Sequence, residues 1–441
     1  MDLFTLSRKN IFARPLNSFM SVLLLALSIA LIVFILLFNS QFKKGLENNL
    51  AGIDLVIGAK GSPLQLILNS MYHIDAPTGN VPLEEAIPFL NPQHPLISAA
   101  IPLSLGDSYG SYRIAGAPPD ILNLYGIDQI HGNIYTRDFE VVVGATVANK
   151  IHLHIGDEFH STHGFEENPD LAHDHSSPFV VTGILPPSGT ILDQLILCTP
   201  QTVWKVHEHA QDSSGTNEEH LHDHSESHQH HIPPLTAIDS NQMLAVTDSV
   251  LAALRLNPEK EITSLLIRYK NRTSIPALNF ARNINQNTGL MAASPAIEMN
   301  RLYSMMGSGA DAITYLAFAI GIVAAISVFI SLYTSLRERR YEMALMRVSG
   351  ALPSKIFSMI LYEALWISIS GILLGLILGH VGMEITGRVL ADAYRYPFTG
   401  WTWMKEELLI VLAAILITLL AAVIPAIEGS RTELHKTLAE N

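Results

Sequence analysis

Residues 336–364, LRERRYEMALMRVSGALPSKIFSMILYEA, decide how this chain is organised. This charged stretch joins two long apolar segments, residues 312–336 and 356–381. Its basic residues outnumber its acidic ones, and they are Arg337, Arg339, Arg340, Arg347 and Lys355. Loops rich in lysine and arginine stay on the cytoplasmic side of a membrane. Residues 337–355 are therefore predicted to form a cytoplasmic loop between two membrane spans.

The composition is typical of a membrane protein, because 49% of the 441 residues are hydrophobic and only 15% are charged. A hydrocarbon core of about 30 Å requires about 20 consecutive apolar residues. Four windows meet this requirement, and we predict transmembrane helices at 17–39, 312–336, 356–381 and 408–427. Arg8, Lys9 and Arg14 precede the first span, which predicts that both termini lie in the cytoplasm.

The remaining segments follow from these four spans, in a 1+3 arrangement. Residues 40–311 are predicted to form a large extracytoplasmic domain, and residues 382–407 a short extracytoplasmic loop. Residues 1–16 combine apolar and basic residues, as expected of an amphipathic segment on the cytoplasmic leaflet. Residues 428–441 are predicted to be a cytoplasmic tail.

The large domain mixes strand and helix patterns. Strands are predicted at 140–144 (EVVVG), 178–185, 194–198 and 264–269, with a helix after the first of them. This interleaving predicts an α/β or α+β domain.

The net charge of −13 argues against nucleic-acid binding. Cys198 is the single cysteine, so the chain forms no intramolecular disulfide, and its place beside a strand predicts a buried thiol.

Histidines are concentrated in two polar stretches, residues 152–175 and 207–231, which together hold 14 of the 19 histidines. Both are predicted to be solvated loops. The spacing His-x-His recurs in them, and on an extended chain it directs two imidazoles to one side, which suits Zn²⁺ or another transition metal. A mobile polar insertion without a role remains the alternative. The candidate ligands are His173, His175, His207, His209, His220, His222, His224, His228, His230 and His231.

The sequence gives no indication of a catalytic site. Residues 58–62 (GAKGS) contain glycine and lysine but not the Gly-Lys-Ser/Thr order of a phosphate-binding loop. We therefore expect a non-catalytic membrane subunit that binds no cofactor other than the metal considered above.

Residues 339–351 resemble the cytoplasmic loop of the FtsX/MacB/LolC class of ABC transporter permeases, the four-span mechanotransmission family. The matching positions are Arg339, Arg340, Glu342, Arg347, Gly350 and Ala351. Residues 8–10 and the ending from Pro425 to Arg431 are similar to the family's two ends. Residues 140–158 and 178–189 are similar to its periplasmic core domain.

The resemblance implies an inner-membrane protein on whose loop 337–355 a separate cytoplasmic ATPase docks. ATPase activity, with ATP and Mg²⁺, is expected in that partner chain, which moves the periplasmic domain. Met343, Leu345 and Met346 are expected to fill a groove of this partner. The implied docking residues are Arg337, Arg339, Arg340, Glu342, Met346, Arg347, Gly350 and Lys355.

Four spans are too few to enclose a transport path, so we expect a dimer with a second copy or a homologue. Gly371, Gly375 and Gly379 share one helix face, which either packs within the chain or joins two chains. Further expected partners are a periplasmic binding protein or lipoprotein, and membrane lipid.

Two functions remain open at this point. In the first, the chain serves export or extraction of a substrate, or handles a metal-linked substrate. In the second, it is a non-transporting, FtsX-like regulator that activates a periplasmic partner such as a cell-wall hydrolase.

Overall fold

The computed structural model describes residues 7, 15–74, 76–163, 177–212, 233–394 and 398–431. It divides into two compact units, which we call the helical unit and the sheet unit. The helical unit comprises Met1–Lys43, Ser304–Ala393 and Pro397–Asn441. The sheet unit comprises Lys44–Tyr303 with Tyr394–Tyr396. The predicted N-terminal segment lies almost entirely outside the described residues, as do residues 432–441.

The described residues form twelve α-helices and fourteen strands. The helices are α1 (Pro15–Leu50), α2 (Pro63–Tyr72), α3 (Leu83–Ala86), α4 (Ile121–Leu124), α5 (Ala145–Ile151), α6 (Pro200–Asp212), α7 (Ser240–Leu256), α8 (Ile275–Asn287), α9 (Pro295–Glu338), α10 (Arg340–Val348), α11 (Pro353–Tyr394) and α12 (Lys405–Ser430). The strands are β1 (Leu55–Ala59), β2 (Val81–Pro82), β3 (Ile97–Tyr109), β4 (Tyr112–Gly116), β5 (Gln129–Gly132), β6 (Glu140–Val143), β7 (Glu158–Phe159), β8 (Thr162–His163), β9 (Phe179–Ile184), β10 (Ile196–Cys198), β11 (Leu235–Ala237), β12 (Glu261–Ile262), β13 (Ser264–Tyr269) and β14 (Leu290–Ala293).

The sheet unit is built on one mixed sheet. Its strand order is β11-β5-β9-β6-β10-β4-β3-β13-β1-β14, with β7 added beside β9 and β8 beside β3. The pairs β6–β9 and β10–β4 are parallel, whereas β3 pairs antiparallel with β4 and β13. A separate two-stranded sheet pairs β2 with β12. The α/β or α+β prediction is confirmed as a mixed sheet with helices.

Alternation along the strands places apolar side chains on both faces of this sheet. In β10, Ile196 and Cys198 pack into one hydrophobic cluster, while Leu197 packs into another on the opposite face. Strands buried on both faces appear as continuous apolar runs, which is why the sequence signalled β6, β9, β10 and β13. Cys198 is fully buried, as predicted, and its burial raises the pKa of the thiol.

Four helices of the described residues, α1, α9, α11 and α12, are long and apolar enough to cross a membrane. All four extend beyond the predicted spans, and α11 continues to Tyr394, so part of the predicted loop 382–407 is helical. A pair four residues apart supports this extension, because Arg388 Nε lies 3.3 Å from Glu384 Oε1. Similarly, α1 continues to Leu50, and α9 begins at Pro295.

The helix α1 is held by hydrogen bonds to α9 within the helical unit. The hydroxyls of Ser21 and Ser327 lie 3.1 Å apart, and Ser28 Oγ donates to the Ala317 carbonyl oxygen at 3.1 Å. About 50% of the apolar window of α1 is buried, against 17% for α9 and 22% for α12. The helix α1 therefore lies in the interior of the helical unit, and α9 and α12 present most of their apolar surface outward.

Candidate functional site

The predicted cytoplasmic loop contains a helix, α10, with defined turns on both sides. The helix α9 ends at Glu338 and α10 begins at Arg340. At the end of α10, the Gly350 amide donates to the Arg347 carbonyl oxygen and the Ala351 amide donates to the Met346 carbonyl oxygen, both at 3.0 Å. This is the Schellman arrangement, and Gly350 occupies its left-handed position with a φ of +96°. Pro353 then begins α11. The loop is therefore a helix of fixed direction.

One face of α10 packs against the helical unit itself. Met343 and Ala344 are only 2% and 1% exposed. Met343 shares a hydrophobic cluster with Leu336 of α9 and Ile356 of α11. The prediction that Met343 fills a partner's groove is therefore wrong, because this side chain is already enclosed by the chain's own helices. Met346, also predicted for the groove, is half-buried.

The exposed apolar side chains of α10 and of the turn after it form a second surface, which we call the stripe. Its three members within α10 lie three or four residues apart, so they share one side of the helix, and its fourth member lies between α10 and α11. They are Tyr341 (48% exposed), Leu345 (52%), Val348 (59%) and Leu352 (60%). Sequence reasoning found only Leu345. The spacing of Tyr341 and Val348 on either side of it was the signal that could have revealed the others.

The predicted polar docking residues divide into two groups. Arg337, Glu342 and Lys355 are exposed, as is Gly350 in the turn. Arg347 is half-buried, and its Nη1 donates to the carbonyl oxygen of Ser430 at 3.4 Å. A cation near the last carbonyls of a helix is favourable, so Arg347 also ties α10 to the end of α12.

The remaining two arginines lie at the start of α10. Arg339 is half-buried, and its carbonyl oxygen accepts the Met343 amide at 3.0 Å. Arg340 is the first residue of the helix. Both therefore take part in the turn between α9 and α10.

The three glycines of α11 face α1 of the same chain. A Cβ at Gly375 would lie 2.8 Å from the Ala26 carbonyl oxygen, and one at Gly371 would lie 2.7 Å from Leu25 Cδ2. A Cβ at Gly379 would lie 3.0 Å from Val33. Of the two roles considered for this face, the structure places it in the packing of α1 on α11.

The histidines are only partly within the described residues. His207 and His209 belong to α6, so the extended-chain geometry assumed for their pair is wrong. Residues 207–212 therefore continue a helix and do not begin a loop. Among the described residues, no group of three or more His, Cys, Asp or Glu side chains is placed to hold a metal. Eight of the predicted ligands lie outside the described residues: His173, His175, His220, His222, His224, His228, His230 and His231.

The described part of the first His-rich stretch has local structure. His152 ends α5 in a left-handed conformation with a φ of 55°. The His154 amide donates to Asp157 Oδ2 at 2.7 Å, and its Nδ1 lies 3.4 Å from the same oxygen. Residues 152–163 thus continue into β7 and β8 and are not a loop throughout, contrary to the prediction.

The described segments that lead into the two His-rich stretches pack together in the sheet unit. Phe159 precedes the first stretch's undescribed residues, and Phe179 follows them. Val206, on α6, precedes the second. All three side chains are buried in one hydrophobic cluster.

Comparison with protein families gives two matches. Residues 18–257, more than half of the chain, match the model of the MacB-like periplasmic core domain. Residues 315–434, which contain α10, match the model of the FtsX-like permease C-terminal region. A search of curated proteins finds no match. The two models occur here in the order expected of one permease. The chain belongs to the FtsX/MacB/LolC family of ABC-transporter-type membrane permeases.

Proposed function

We propose that this permease couples ATP hydrolysis by a separate cytoplasmic ATPase to movement of its periplasmic domain. The family and the four apolar helices indicate an inner-membrane protein, and members of the family typically work with a cytoplasmic ATPase. In this proposal the loop 337–355 and both termini lie in the cytoplasm, and the sheet unit lies in the periplasm.

The observation that carries the proposal is the stripe on α10. Partner proteins commonly bind helices through apolar side chains at positions i, i+4 and i+7, the spacing of Tyr341, Leu345 and Val348. Since Met343, on the side of α10 away from the stripe, packs with Leu336 and Ile356, a force applied to the stripe acts on a helix packed into the helical unit.

Exposed charges surround the stripe and suit the rim of an interface. Arg337 precedes α10, Glu342 lies next to Tyr341, and Lys355 lies in the first turn of α11. Charged residues at a rim contribute to orientation and association rate more than to affinity. We therefore assign most of the docking energy to the stripe.

The proposed transmission relies on two continuous helices. The helix α1 contains 36 residues and α9 contains 44, and each contributes residues to both units of the chain. Dimerisation with a second copy or a homologue remains part of the proposal.

The test is co-purification of ATPase activity with the full-length chain from its native membranes. Leu345→Glu places a charge in the stripe and should weaken capture at least about tenfold, as for a central interface residue. Leu256→Glu is the matched control, because Leu256 is 80% exposed but lies on α7 of the sheet unit. Equal ATPase capture by wild type and Leu345→Glu would refute docking at the stripe.

A second candidate function, the handling of a metal-linked substrate, is supported by the common packing of Phe159, within the first His-rich stretch, and Val206, directly before the second. If Phe159 and Val206 bring the two stretches out near each other, their histidines can act on one ion. The test is calorimetric titration of the full-length chain with Zn²⁺, Cu²⁺ and Ni²⁺, beside a variant lacking 164–176 and 213–231. These deletions spare α6, which a deletion from residue 207 would shorten.

Micromolar or tighter binding that disappears with both stretches would support metal handling. Equal binding by both proteins would refute it. In that case the export, extraction and hydrolase-activation alternatives would remain, and they would be separated by whether ATP hydrolysis moves a substrate or activates a periplasmic enzyme.

A further inference from the structure

A short segment of the helical unit, residues 398–404 (FTGWTWM), joins the end of α11 to the start of α12. We call it the strap. Its polar backbone atoms are bound by side chains of the surrounding helices. Gln41 of α1 donates to the Thr399 carbonyl oxygen at 2.7 Å and accepts the Thr399 amide at 2.8 Å. The backbone amide and carbonyl of Thr399 are thus both hydrogen-bonded to α1.

The helix α11 supplies two further side chains that hold the strap. Glu384 Oε2 accepts the Gly400 amide at 3.0 Å, and His380 Nδ1 donates to the Gly400 carbonyl oxygen at 2.5 Å. On its other side, His380 Nε2 lies 3.3 Å from Glu407 Oε2 of α12. Glu407 in turn accepts the Met404 amide at 3.0 Å. Both ends of the strap are therefore fixed, and its polar groups face the helices.

The two tryptophans of the strap are directed outward. Trp401 is 81% exposed and Trp403 is 72% exposed, although one side of the Trp403 ring contacts the His380 ring at a centroid distance of 4.5 Å. The hydrogen-bonded backbone of the strap therefore presents two large indoles on an exposed surface. Such a pair of large amphipathic rings marks an interaction surface.

The neighbouring surface indicates which partner covers them. Leu408, Leu409 and Leu412 are exposed on α12 directly after the strap, where the apolar membrane window begins. The indoles therefore continue an apolar surface that lipid tails cover further along the helix. From Lys405 to Leu408 the helix rises about 5 Å, which is within the thickness of a headgroup layer.

Charges beside the indoles fit the same environment. Arg388 on α11, which also pairs with Glu384, and Lys405 at the start of α12 are exposed cations near the strap, and Glu406 is an exposed anion beside Lys405. Tryptophan together with lysine and arginine at the end of an apolar helix is typical of the membrane–water interface, where the rings lie at headgroup level and the cations meet phosphates.

We propose that the strap is a membrane anchor, in which Trp401 and Trp403 lie in the phospholipid headgroup layer and fix this end of the helical unit at the interface. Since Gln41 binds the strap, the anchor also holds α1 at this depth. The proposal does not depend on which side of the membrane the strap occupies, nor on ATPase docking.

The test uses intrinsic fluorescence of the full-length chain in phosphatidylcholine vesicles. Four tryptophans contribute, namely Trp204, Trp366, Trp401 and Trp403. The difference in emission between wild type and the double variant Trp401→Phe/Trp403→Phe is the emission of the strap. Both rings are largely exposed, so the variant should fold. Lipids brominated close to the headgroup should quench the strap's emission more strongly than lipids brominated near the chain end.

The matched control is Trp204→Phe, which removes a tryptophan of the sheet unit, and the emission it removes should be insensitive to both lipids. Strap emission that is quenched by aqueous iodide but by neither brominated lipid would overturn the proposal in favour of exposure to water. Strap emission insensitive to iodide and to both lipids would also overturn it, because a protein, such as a second copy, would then cover the rings.

Discussion

The glycine face of α11 and the stripe on α10 differ in how the chain itself treats them. The glycine face was predicted to make contacts, whereas only Leu345 of the stripe was, and the helical residues of both surfaces are spaced three or four apart on one side of a helix. The glycines allow backbone approach, and α1 occupies them through Leu25, Ala26 and Ile29. The stripe carries large side chains that remain 48–60% exposed among the described residues. A small-residue face is thus packed within one chain, whereas a face of large apolar residues stays exposed, as the proposed docking requires.

The largest expected effect follows from placing a large side chain on the glycine face. In Gly375→Leu the new side chain would begin 2.8 Å from the Ala26 carbonyl oxygen and from Ile29 Cβ, so α1 and α11 must separate. Overpacking of this kind lowers the free energy of unfolding by roughly 1–3 kcal/mol or more. Thermal unfolding of the full-length chain in detergent should show a clearly lower Tm, with reduced yield from membranes.

The control for this substitution is Gly309→Leu in α9, where a Cβ meets no atom within 4 Å. Leucine favours a helix more than glycine does, so the Tm of this variant should not fall. Equal Tm values for Gly375→Leu and wild type would mean that α1 does not pack on α11 as described.

A smaller effect should follow from reversing a charge beside the stripe. Glu342 is exposed, so Glu342→Lys should leave the Tm unchanged. Its carboxylate is proposed to meet the docked ATPase, and the reversal should weaken docking about tenfold, equivalent to ~1.4 kcal/mol. Titration of the purified ATPase onto the chain measures this affinity. Glu259→Lys in the sheet unit is the matched control, and an identical affinity for Glu342→Lys would exclude this carboxylate from the interface.

The sequence predicted most reliably what depends on long runs of one residue type. A lipid environment requires about 20 apolar residues in succession, so the four membrane helices were visible without any tertiary information. Strands buried on both faces, such as β6 and β13, were visible for the same reason. The short strands β2, β7, β8 and β12 contain two residues each, and a pattern of that length carries no periodicity.

What the sequence did not predict depends on contacts between distant residues. Met343 and Leu345 are both apolar residues of α10, yet one is enclosed by Leu336 and Ile356 and the other is exposed. Only the position of the neighbouring helices distinguishes them. Likewise, the end of α11 at Tyr394 depends on polar residues that keep the helix intact beyond its apolar run, as the Glu384–Arg388 pair illustrates.

The smallest effect in this comparison concerns the turn that sets the direction of α10. Gly350 has a φ of +96°, and a Cβ there would meet no atom within 4 Å, so Gly350→Ala introduces backbone strain without a steric clash. The cost of such strain is about 1 kcal/mol in the free energy of unfolding.

Gly309→Ala provides a control of opposite sign, because an exposed alanine within α9 should add up to about 1 kcal/mol. Chemical unfolding of the two variants in detergent should therefore move the midpoint in opposite directions. If Gly350→Ala were also stabilising, the residue would not occupy the left-handed position of the Schellman turn, and α10 would not present the stripe in the direction described.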